Sequence, residues 1–422
     1  MSNHVLIIGA GASGLMAGYS AAKSGARVTI IEKNHVPGRK ILASGAGKCN
    51  LTNKNVSTRN YHLKNTAFIE KVFEILPPAK ISGIFENMGL VLSHEPDGRV
   101  FPRCGKSKEV LDVLLNSIEE HGVKILTLTE VVEIKKKKPV FVLKTQSVKP
   151  PWHKGIFHPE PGELCADKVI LAAGSNSYPQ TGGCFRGYEL ATLLGHRVTE
   201  LRPSLVPLRV QESFVKNLAG VRVNAKISIH ISNKEISNSR GEILWTDYGI
   251  SGPAALDVSR AVSFSIGRGK ILGLINFFPE FEPGKVKAFL EDRWQKMKNK
   301  KWKVFLDGLF EEKLAGVITD VLKINPSKEI SEIPPGMKES FLKLAREFKF
   351  EITGTMDFKD SMITAGGVNL SEINPETFES RIVPGLFLTG ELLDIDGDSG
   401  GYNLHFAWTS GMIAGKSAGK FL

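Results

Sequence analysis

Apolar residues form short uninterrupted runs near both ends of this chain. Runs within His4–Gly9, Arg27–Ile31 and Asp167–Gly174 lie in its first half, and a fourth lies within Gly385–Gly390. Runs of this length that end in glycine or acidic residues are typical of the buried strands of a parallel sheet. A helix-like stretch, Leu15–Ser24, follows the first run. The two ends of the chain therefore predict an α/β fold.

The middle of the chain has a different pattern. Leu205–Val210 and Asn224–Ile231 alternate between apolar and polar residues, as the half-buried strands of a barrel do. Helix-like stretches follow over Lys285–Lys323 and Ser340–Phe348, and a last one covers Leu404–Gly419. We therefore expect a large insert between two parts of one α/β domain.

Composition and charge limit the class of protein. The chain has 422 residues, of which 42% are hydrophobic, and this length suggests two or three domains. The four cysteines show neither CxxC nor metal-ligand spacing, so they predict free thiols in a reducing cytosol and no metal site. The net charge of +11 suits either solubility or an anionic partner.

Nothing in the sequence predicts membrane insertion. The apolar start, Val5–Ile8, has no basic segment before it and is broken by glycines, so it does not resemble a signal peptide. No stretch of about 18 uninterrupted apolar residues occurs. We expect a cytoplasmic protein without a membrane partner.

The segment after the first strand carries a dinucleotide fingerprint. Gly9, Gly11 and Gly14 form GxGxxG between a strand and a helix, and the second strand ends in Glu32. In this motif the glycines permit a tight turn, close approach to a pyrophosphate and close helix packing, and the acid accepts from ribose hydroxyls. The helix N-terminus favours phosphate. We therefore predict an adenine dinucleotide here, with Ser13 and Lys33 beside it.

Later segments favour FAD over NAD. The strand within Asp167–Gly174 ends in small residues, and the strand within Gly385–Gly390 runs into acids and then a glycine-rich helix start. Such a helix start can stabilise negative charge on a flavin ring. The predicted cofactor residues in these segments are Ala173, Gly174, Gly390, Glu391, Asp394, Gly400, Gly401, Tyr402 and Asn403.

Further motifs give a family resemblance. Pro37–Lys40, Ser44–Asn53, Gly249–Ala254 and Ala365–Val368, with the ending Gly-Gly-Tyr-Asn, make the chain resemble the YhiN/BaiN-like FAD-dependent oxidoreductases from residue 4 to about 419. The resemblance implies bound FAD in a discontinuous Rossmann-type domain, with an inserted β-barrel and helical bundle. The predicted domains are residues 1–196 with 358–422 for FAD, 197–282 with 349–357 for the barrel, and 283–348 for the bundle.

The resemblance leaves the substrate open. It implies reduction of an activated C=C, with uridine in large-subunit ribosomal RNA as the leading candidate. A small-molecule enone reductase, an aminoacetone-like amine oxidase and a non-catalytic RNA-binding flavoprotein are the alternatives. The chain departs from the family pattern over Thr181–Tyr188, where Arg186 replaces an acid, and at Asp247 and Cys104. No stable protein partner is evident from the sequence.

Candidate chemistry lies in two of these motifs. Hydride transfer from flavin to a C=C needs a proton donor as well, and Cys49, Tyr402 and His405 are the candidates, each with a structural role as the alternative. Arg39, Lys40, Ser44 and Gly45 are predicted to contact the cofactor. No second GxGxxG follows a strand, so NAD(P)H would serve only as a transient electron donor.

A basic segment lies in the insert. Residues 285–303, the basic segment, contain eight basic and two acidic residues with Trp294 and Trp302 among them. This composition suits phosphate neutralisation and base stacking, whereas a solvated helix with both indoles in the core is the alternative. A second run, Lys135–Lys138, suits the solvated edge of a hairpin. The predicted RNA-binding residues are Lys296, Lys298, Lys300, Lys301 and Lys303.

Overall fold

The computed structural model describes residues 3–282 and 284–420, which form two compact units. One unit runs through Leu201 and resumes at Ile363, and the other covers Arg202–Met362. Pro283, the predicted first residue of the helical bundle, lies outside the described residues. The predicted division of the insert into separate barrel and bundle domains stays a prediction.

The first unit contains most of the short strands. Its strands are β1 (His4–Ile8), β2 (Arg27–Ile31), β3 (Thr52–Asn53), β4 (Leu92–His94), β5 (Arg99–Pro102), β6 (Lys124–Leu126), β7 (Thr129–Lys137), β8 (Val140–Ser147), β9 (Pro161–Ala166), β10 (Lys168–Leu171), β18 (Ile363–Ala365) and β19 (Leu386–Leu388). Its helices are α1 (Ala12–Lys23), α2 (Arg39–Ala43), α3 (Ala67–Ile75), α4 (Lys80–Asn87), α5 (Ser107–Glu120), α6 (Arg186–Leu193) and α13 (Tyr402–Gly419).

A parallel sheet forms the centre of this unit. Its strand order is β19-β10-β1-β2-β6, and each neighbouring pair is parallel. Leu6, Ile7 and Ile30 are fully buried within it, as expected for a sheet covered on both faces. Because the strands are parallel, their carboxyl ends meet at one edge, where ligands bind in open α/β sheets.

The first and last helices pack closely. Gly411, Gly415 and Gly419 recur every four residues on α13, so they share one face of the helix. A Cβ atom at Gly411 would lie 2.3 Å from the carbonyl oxygen of Ser13 on α1. Side chains are excluded here, and the two backbones meet directly.

The second unit contains a closed barrel. The strands of this unit are β11 (Arg202–Ser204), which lies outside the barrel, and the barrel strands β12 (Leu208–Val210), β13 (Arg222–Ile231), β14 (Lys234–Trp245), β15 (Gly249–Ser251), β16 (Ile271–Asn276) and β17 (Phe348–Thr355). Its helices are α7 (Val215–Leu218), α8 (Pro253–Ser265), α9 (Lys285–Lys296), α10 (Trp302–Leu306), α11 (Glu312–Leu322) and α12 (Pro335–Leu344). The barrel order is β12-β15-β14-β13-β16-β17, with β17 closing on β12. The predicted α/β fold with an inserted barrel is confirmed.

The helices between β16 and β17 differ in detail from the sequence pattern. The predicted helical stretch over Lys285–Lys323 contains three helices, α9, α10 and α11. Lys301 has extended backbone before α10, and Gly308 has φ +76° after it, so the chain turns at both places. Phe348, predicted to end a helix, instead begins β17. Trp302 and Phe350 belong to one buried cluster, so helices and barrel share a core.

Two predicted features can be compared directly. The run Lys135–Lys138 lies at the tip of the antiparallel hairpin of β7 and β8, as predicted.

No helix within the described ranges combines the length and apolar character needed to cross a membrane.

Candidate functional site

A cleft opens at the carboxyl edge of the parallel sheet. The turns after β1, β2 and β10 form its floor, and side chains from later segments form its walls. The residues that line it include Gly9, Gly11, Glu32, Lys33, Asn34, Arg39, Lys40, Thr129, Glu130, Val131, Ala173, Gly174, Ser175, Gly182, Cys184, Arg186 and Glu391. The structure therefore brings the fingerprint together with Glu391, which lies more than 350 positions later in the chain.

The three fingerprint glycines have different roles. Gly9 has φ +102°, and a Cβ atom on Gly14 would lie 1.9 Å from the carbonyl oxygen of Gly9, so both positions require glycine. A Cβ atom on Gly11 would meet no protein atom within 4 Å. Gly11 is the N-cap of α1, so the helix N-terminus faces open space in the cleft. This arrangement fits a pyrophosphate, which prefers such a helix end.

Glu32 is held rigidly at the end of β2. Its side chain is buried, and its Oε2 atom accepts from the Ala10 backbone N–H at 2.7 Å. Its Oε1 atom accepts from the backbone N–H of Asn34 at 2.8 Å and from the Asn34 amide at 2.7 Å. A carboxylate has about four acceptor sites, so one remains for a ribose hydroxyl.

Arg39 and Lys33 lie on the same wall. The Arg39 guanidinium donates to Asn34 Oδ1 at 3.0 Å and to the carbonyl oxygen of Gln180 at 2.8 Å. Asn34 thus connects Glu32 to Arg39, and Arg39 connects both to the loop before Gly182. The network holds the Arg39 guanidinium in place at the cleft, where its positive charge suits a phosphate-bearing ligand.

Lys40 and Glu391 join distant segments at the cleft wall. Lys40 Nζ lies 2.5 Å from Glu391 Oε2 and 2.6 Å from the hydroxyl of Ser177. Glu391 Oε1 accepts from the hydroxyls of Ser175 and Ser177 and from the Thr364 backbone N–H. Burial raises the pKa of Glu391, but the Lys40 ammonium and the hydroxyl donors outweigh it and lower the pKa overall. Glu391 is therefore a carboxylate.

The Glu391 carboxylate has little capacity left for a cofactor. Its hydrogen bonds to four protein donors use the acceptor sites that a carboxylate offers. This indicates that Glu391 positions the walls of the cleft, whereas the predicted direct contact with the cofactor is not favoured. Lys40 keeps one N–H donor beyond those it uses here.

Other predicted cofactor residues occupy several places. Ala173 and Gly174 line the cleft, and Ser13 lies in the first turn of α1, where a Cβ atom on Gly390 would contact its hydroxyl at 2.5 Å. Ser44 donates to the carbonyl oxygen of Ile41. Gly45 is exposed with φ +55°, and Asp394 donates its backbone N–H to Val368. The structure therefore groups Ala173, Gly174 and Ser13 with the fingerprint.

The glycine-rich start of α13 forms a second feature of the unit. Gly401 has φ +97°, and a Cβ atom there would lie 2.6 Å from the carbonyl oxygen of Thr52. Asn403 holds the preceding turn through the backbone N–H and carbonyl oxygen of Gly397. Tyr402 is half-buried at the helix start, and its backbone carbonyl accepts from Tyr61. The loop ending at Asn53 is thus packed against the start of α13.

Two of the predicted proton donors are enclosed. Cys49 is fully buried, and burial raises the pKa of its thiol to about 11. His405 is also fully buried, its Nδ1 atom lies 2.7 Å from the hydroxyl of Thr52, and burial lowers its pKa to about 3. Neither side chain reaches a surface from which it could contact a substrate, so the structure does not favour a catalytic role for either.

Several residues of the cleft were not predicted from the sequence. Thr129, Glu130 and Val131 begin β7, a strand with no phosphate-binding motif. Arg186 reaches Glu130 at 3.6 Å and Glu189 at 2.7 Å, so it spans two elements of the wall. No motif surrounds these residues, although Arg186 already stood out as a departure from the family pattern.

The basic segment belongs to the other unit. Trp294 and Trp302 are buried with Phe305 and Phe341, so the alternative of core tryptophans is confirmed and base stacking by either indole is excluded. The five predicted RNA-binding lysines are all exposed. Lys296 pairs with Asp292, whereas within the described residues Lys298, Lys300, Lys301 and Lys303 form no ion pair. In the part of the chain that the structure covers, no cluster of three or more His, Cys, Asp or Glu side chains is arranged to hold a metal.

Comparisons with known proteins agree over the whole chain. A family model described as the HI0933-like protein Rossmann domain matches residues 3–417. The chain is 33% identical over 421 residues to the 3-dehydro-bile acid delta(4,6)-reductase of Clostridium scindens, with 99% of each chain covered. It is 27% identical over 423 residues to the ribosomal RNA dihydrouridine synthase of Escherichia coli, with 98% of each covered.

A solved structure shares the fold. The 3-ketosteroid delta1-dehydrogenase from Sterolibacterium denitrificans, in complex with 1,4-androstadiene-3,17-dione, aligns with a TM-score of 0.51. The alignment covers 99% of this chain and all of that chain at 12% identity. An identity this low supports the fold alone.

Proposed function

The chain belongs to the HI0933-like family of FAD-dependent oxidoreductases, and from this we propose that it binds FAD and reduces a C=C conjugated to a carbonyl. The family recognised from the motifs is thereby confirmed. The leading substrate that we propose is uridine in large-subunit ribosomal RNA, which would become dihydrouridine. Both named relatives support this reaction class, since an enone and a uracil ring each carry such a C=C.

The cleft fits the pyrophosphate and the adjoining ribose of FAD. The space beside Gly11 and the N-terminus of α1 would take the pyrophosphate, and the remaining acceptor site of Glu32 would take a ribose hydroxyl. Arg39 and Lys33 add positive charge at the mouth. When bound, FAD supplies hydride chemistry. NAD(P)H is the proposed transient electron donor.

The observation that carries uridine over other substrates is the set of exposed, unpaired lysines in the basic segment. Lys298, Lys300 and Lys301 are positioned on the surface by helices whose apolar faces are buried. Exposed lysines without acidic partners are free to neutralise phosphates, the main source of affinity for nucleic acids. A small enone would have no use for them.

A small-molecule enone reductase is the second candidate. The identity of 33% to the bile-acid reductase favours it, since the ribosomal RNA dihydrouridine synthases of Escherichia coli and Haemophilus influenzae are 27% and 29% identical to this chain. Amine oxidation and RNA binding without catalysis are the remaining alternatives, and a single set of reactions separates all four.

We propose Tyr402 as the proton donor. It is the one predicted donor whose side chain is not fully enclosed, and it stands at the start of α13 beside the glycine turn. A phenol can protonate the carbon next to the one that receives hydride. Tyr402→Phe should retain FAD but lose most turnover, with loss expected in kcat rather than in flavin content.

The test uses the purified full chain with its flavin. For the reduction arms it is reduced with NADPH or NADH without oxygen and mixed with unmodified ribosomal RNA or a 3-oxo-4-ene steroid in separate reactions. For the amine arm the oxidised protein is mixed with aminoacetone in the presence of oxygen, which accepts the electrons from the flavin. Dihydrouridine is measured by mass spectrometry, and ribosomal RNA from a deletion strain is mapped in parallel. Dihydrouridine formed in vitro and absent from the deletion strain supports the proposal. Turnover of the steroid or amine with unchanged RNA overturns uridine as substrate, and RNA binding without any turnover overturns the enzyme activity.

A further inference from the structure

An exposed aromatic loop connects β8 to β9. Residues 148–158, the Trp152 loop, are exposed apart from Val148, Pro150 and Phe157. Trp152 is 67% exposed and Ile156 is 85% exposed. Large apolar side chains with this exposure are unusual and mark interaction surfaces when they cluster. The function proposed above makes no use of this loop.

The loop is held in shape by its own hydrogen bonds. Lys149 Nζ donates to the carbonyl oxygen of Gly155 at 2.8 Å, and the backbone N–H of His153 donates to the carbonyl oxygen of Pro150 at 3.0 Å. At its base, Ser147 and Glu160 exchange hydrogen bonds. A preformed loop loses less conformational entropy when it binds a partner.

The composition of the loop favours nucleic acid over other partners. It contains Trp152 and Phe157 with Lys149, Lys154 and two histidines, and it has no acidic residue. Single-stranded nucleic acids are bound by aromatic rings on which bases stack, combined with basic side chains that contact phosphates. The positive charge complements a phosphate backbone, which an apolar protein partner would not require.

The loop lies at the rim of the cofactor cleft. The Trp152 ring makes an edge contact with His35, with centroids 5.7 Å apart, and His35 directly follows the cleft residue Asn34. Val148 donates its backbone N–H to Leu128, next to the cleft residue Thr129. A nucleic-acid strand bound by this loop would therefore lie on the same unit as the cofactor cleft.

We propose that the Trp152 loop is a stacking site for an unpaired base of a single RNA strand, with Lys154 contacting the adjoining phosphate. This rests on the proposed action on ribosomal RNA, and it adds a binding site in the flavin unit that is separate from the basic segment. The exposed part of the Trp152 ring takes the base.

The experiment measures binding of a fluorescent single-stranded oligouridine to the flavin-loaded full chain by anisotropy. Trp152→Ala should weaken binding by about 5- to 100-fold, and Trp152→Phe should restore most of the affinity because a ring remains. Lys154→Gln should lower the log–log salt slope by about 0.7. Leu193→Ala, which removes an equally exposed side chain of the same unit, is the control.

The outcomes separate this inference from the proposed function. Weakened binding by Trp152→Ala with unchanged flavin content supports the loop, even if no uridine is reduced, in which case only the proposed function fails. Parent-like binding by Trp152→Ala overturns the loop while leaving uridine reduction intact. Binding of the loop to phosphatidylglycerol vesicles but not to the oligouridine also overturns it.

Discussion

A Cβ atom on Gly411 would lie 2.3 Å from the carbonyl oxygen of Ser13, which leaves room only for hydrogen between these parts of α13 and α1. The same approach is repeated at Gly415 against Ala17 and at Gly419 against Ala21. The last helix therefore fixes the helix whose N-terminus faces the cleft. Cofactor binding and the packing of the chain end are expected to depend on each other.

The first prediction concerns this helix packing. Gly415→Ala should lower the free energy of unfolding by about 1–3 kcal/mol, because the added methyl group overlaps the carbonyl oxygen of Ala17. Gly316→Ala is the matched control, since Gly316 is an exposed helix position with open space around it, and it should stabilise by about 0.5–1 kcal/mol. Urea unfolding measures both. Equal effects would show that the helices can separate without cost.

The second prediction separates cofactor binding from folding. Gly11→Val should keep the melting temperature of the flavin-free chain but abolish FAD binding, because the side chain meets no protein atom and fills the space assigned to the pyrophosphate. Gly83→Val, at another open helix position, should bind FAD normally. Flavin absorbance after reconstitution is the measurement. A Gly11→Val protein that retains stoichiometric FAD would contradict the placement of the phosphates.

The third prediction concerns the pair of Lys40 and Glu391. Lys40→Met leaves a partly buried carboxylate without its cation, so the pKa of Glu391 should rise. Because the parent pKa is lowered, Glu391 keeps its carboxylate, and with it the hydrogen bonds that hold the cleft wall, until the pH is low; in the variant the folded protein takes up this proton at higher pH. FAD affinity measured from pH 8 to about pH 4 should therefore decline earlier in Lys40→Met than in Lys40→Arg. Superimposable pH profiles would disprove the coupling.

The fourth prediction uses the buried imidazole of His405. Its pKa of about 3 lies below the ordinary value of 6.5, so the unfolded chain binds a proton between these values that the folded chain does not. Stability present above pH 6.5 is therefore lost on acidification, on the order of 2 kcal/mol at pH 5. His405→Asn keeps a partner for Thr52 and should lose less between pH 7.5 and pH 5 in urea unfolding. An equal loss would assign the acid sensitivity to other groups.

The fifth prediction concerns the basic segment. Replacing Lys298, Lys300 and Lys301 with glutamine should weaken RNA binding and lower the log–log salt slope by roughly 0.7–0.9 for each phosphate that is no longer neutralised. Replacing Lys216, Lys226 and Lys234 makes the same change in net charge at other exposed positions of the unit and should have little effect. Filter binding at several salt concentrations distinguishes the two. If both triple variants behave alike, only net charge matters.

The sequence predicted the parts of the site that depend on local backbone geometry. Gly9, Gly11, Gly14 and Glu32 carry a spacing that only one kind of turn requires. The structure places Gly9, Gly11 and Glu32 in the lining of the cleft and Gly14 behind them, buried in the first turn of α1. It could not predict that Lys40 and Glu391, 351 positions apart, would pair with each other, since that depends on tertiary packing. A cofactor role was therefore expected for both.

The burial of individual side chains could not be predicted from the sequence pattern either. Trp294 and Trp302 lie among lysines in the sequence, yet both side chains are buried in the core. A surface helix turns its apolar side chains to the core and its charged side chains to solvent, so residues close in sequence can differ in exposure. The spacing of Gly411, Gly415 and Gly419 places them on one face of a helix, but the sequence does not indicate that this face packs on α1. The spacing of residues in the sequence thus predicts which side chains share a face of a helix or strand, whereas tertiary packing determines what each face contacts.

The order of the central sheet has a consequence for synthesis on the ribosome. Strand β19 pairs with β10, and α13 packs on α1, so the first unit is completed by residues that are translated after the unit over Arg202–Met362. The unit over Arg202–Met362 is continuous and can fold while the first unit still waits for its final strand and helix. A nascent chain with the apolar sheet residues Leu6, Ile7 and Ile30 already made, but β19 missing, would expose one edge of that sheet. Chaperone dependence during translation should therefore be greatest in the interval before Leu388 leaves the ribosome.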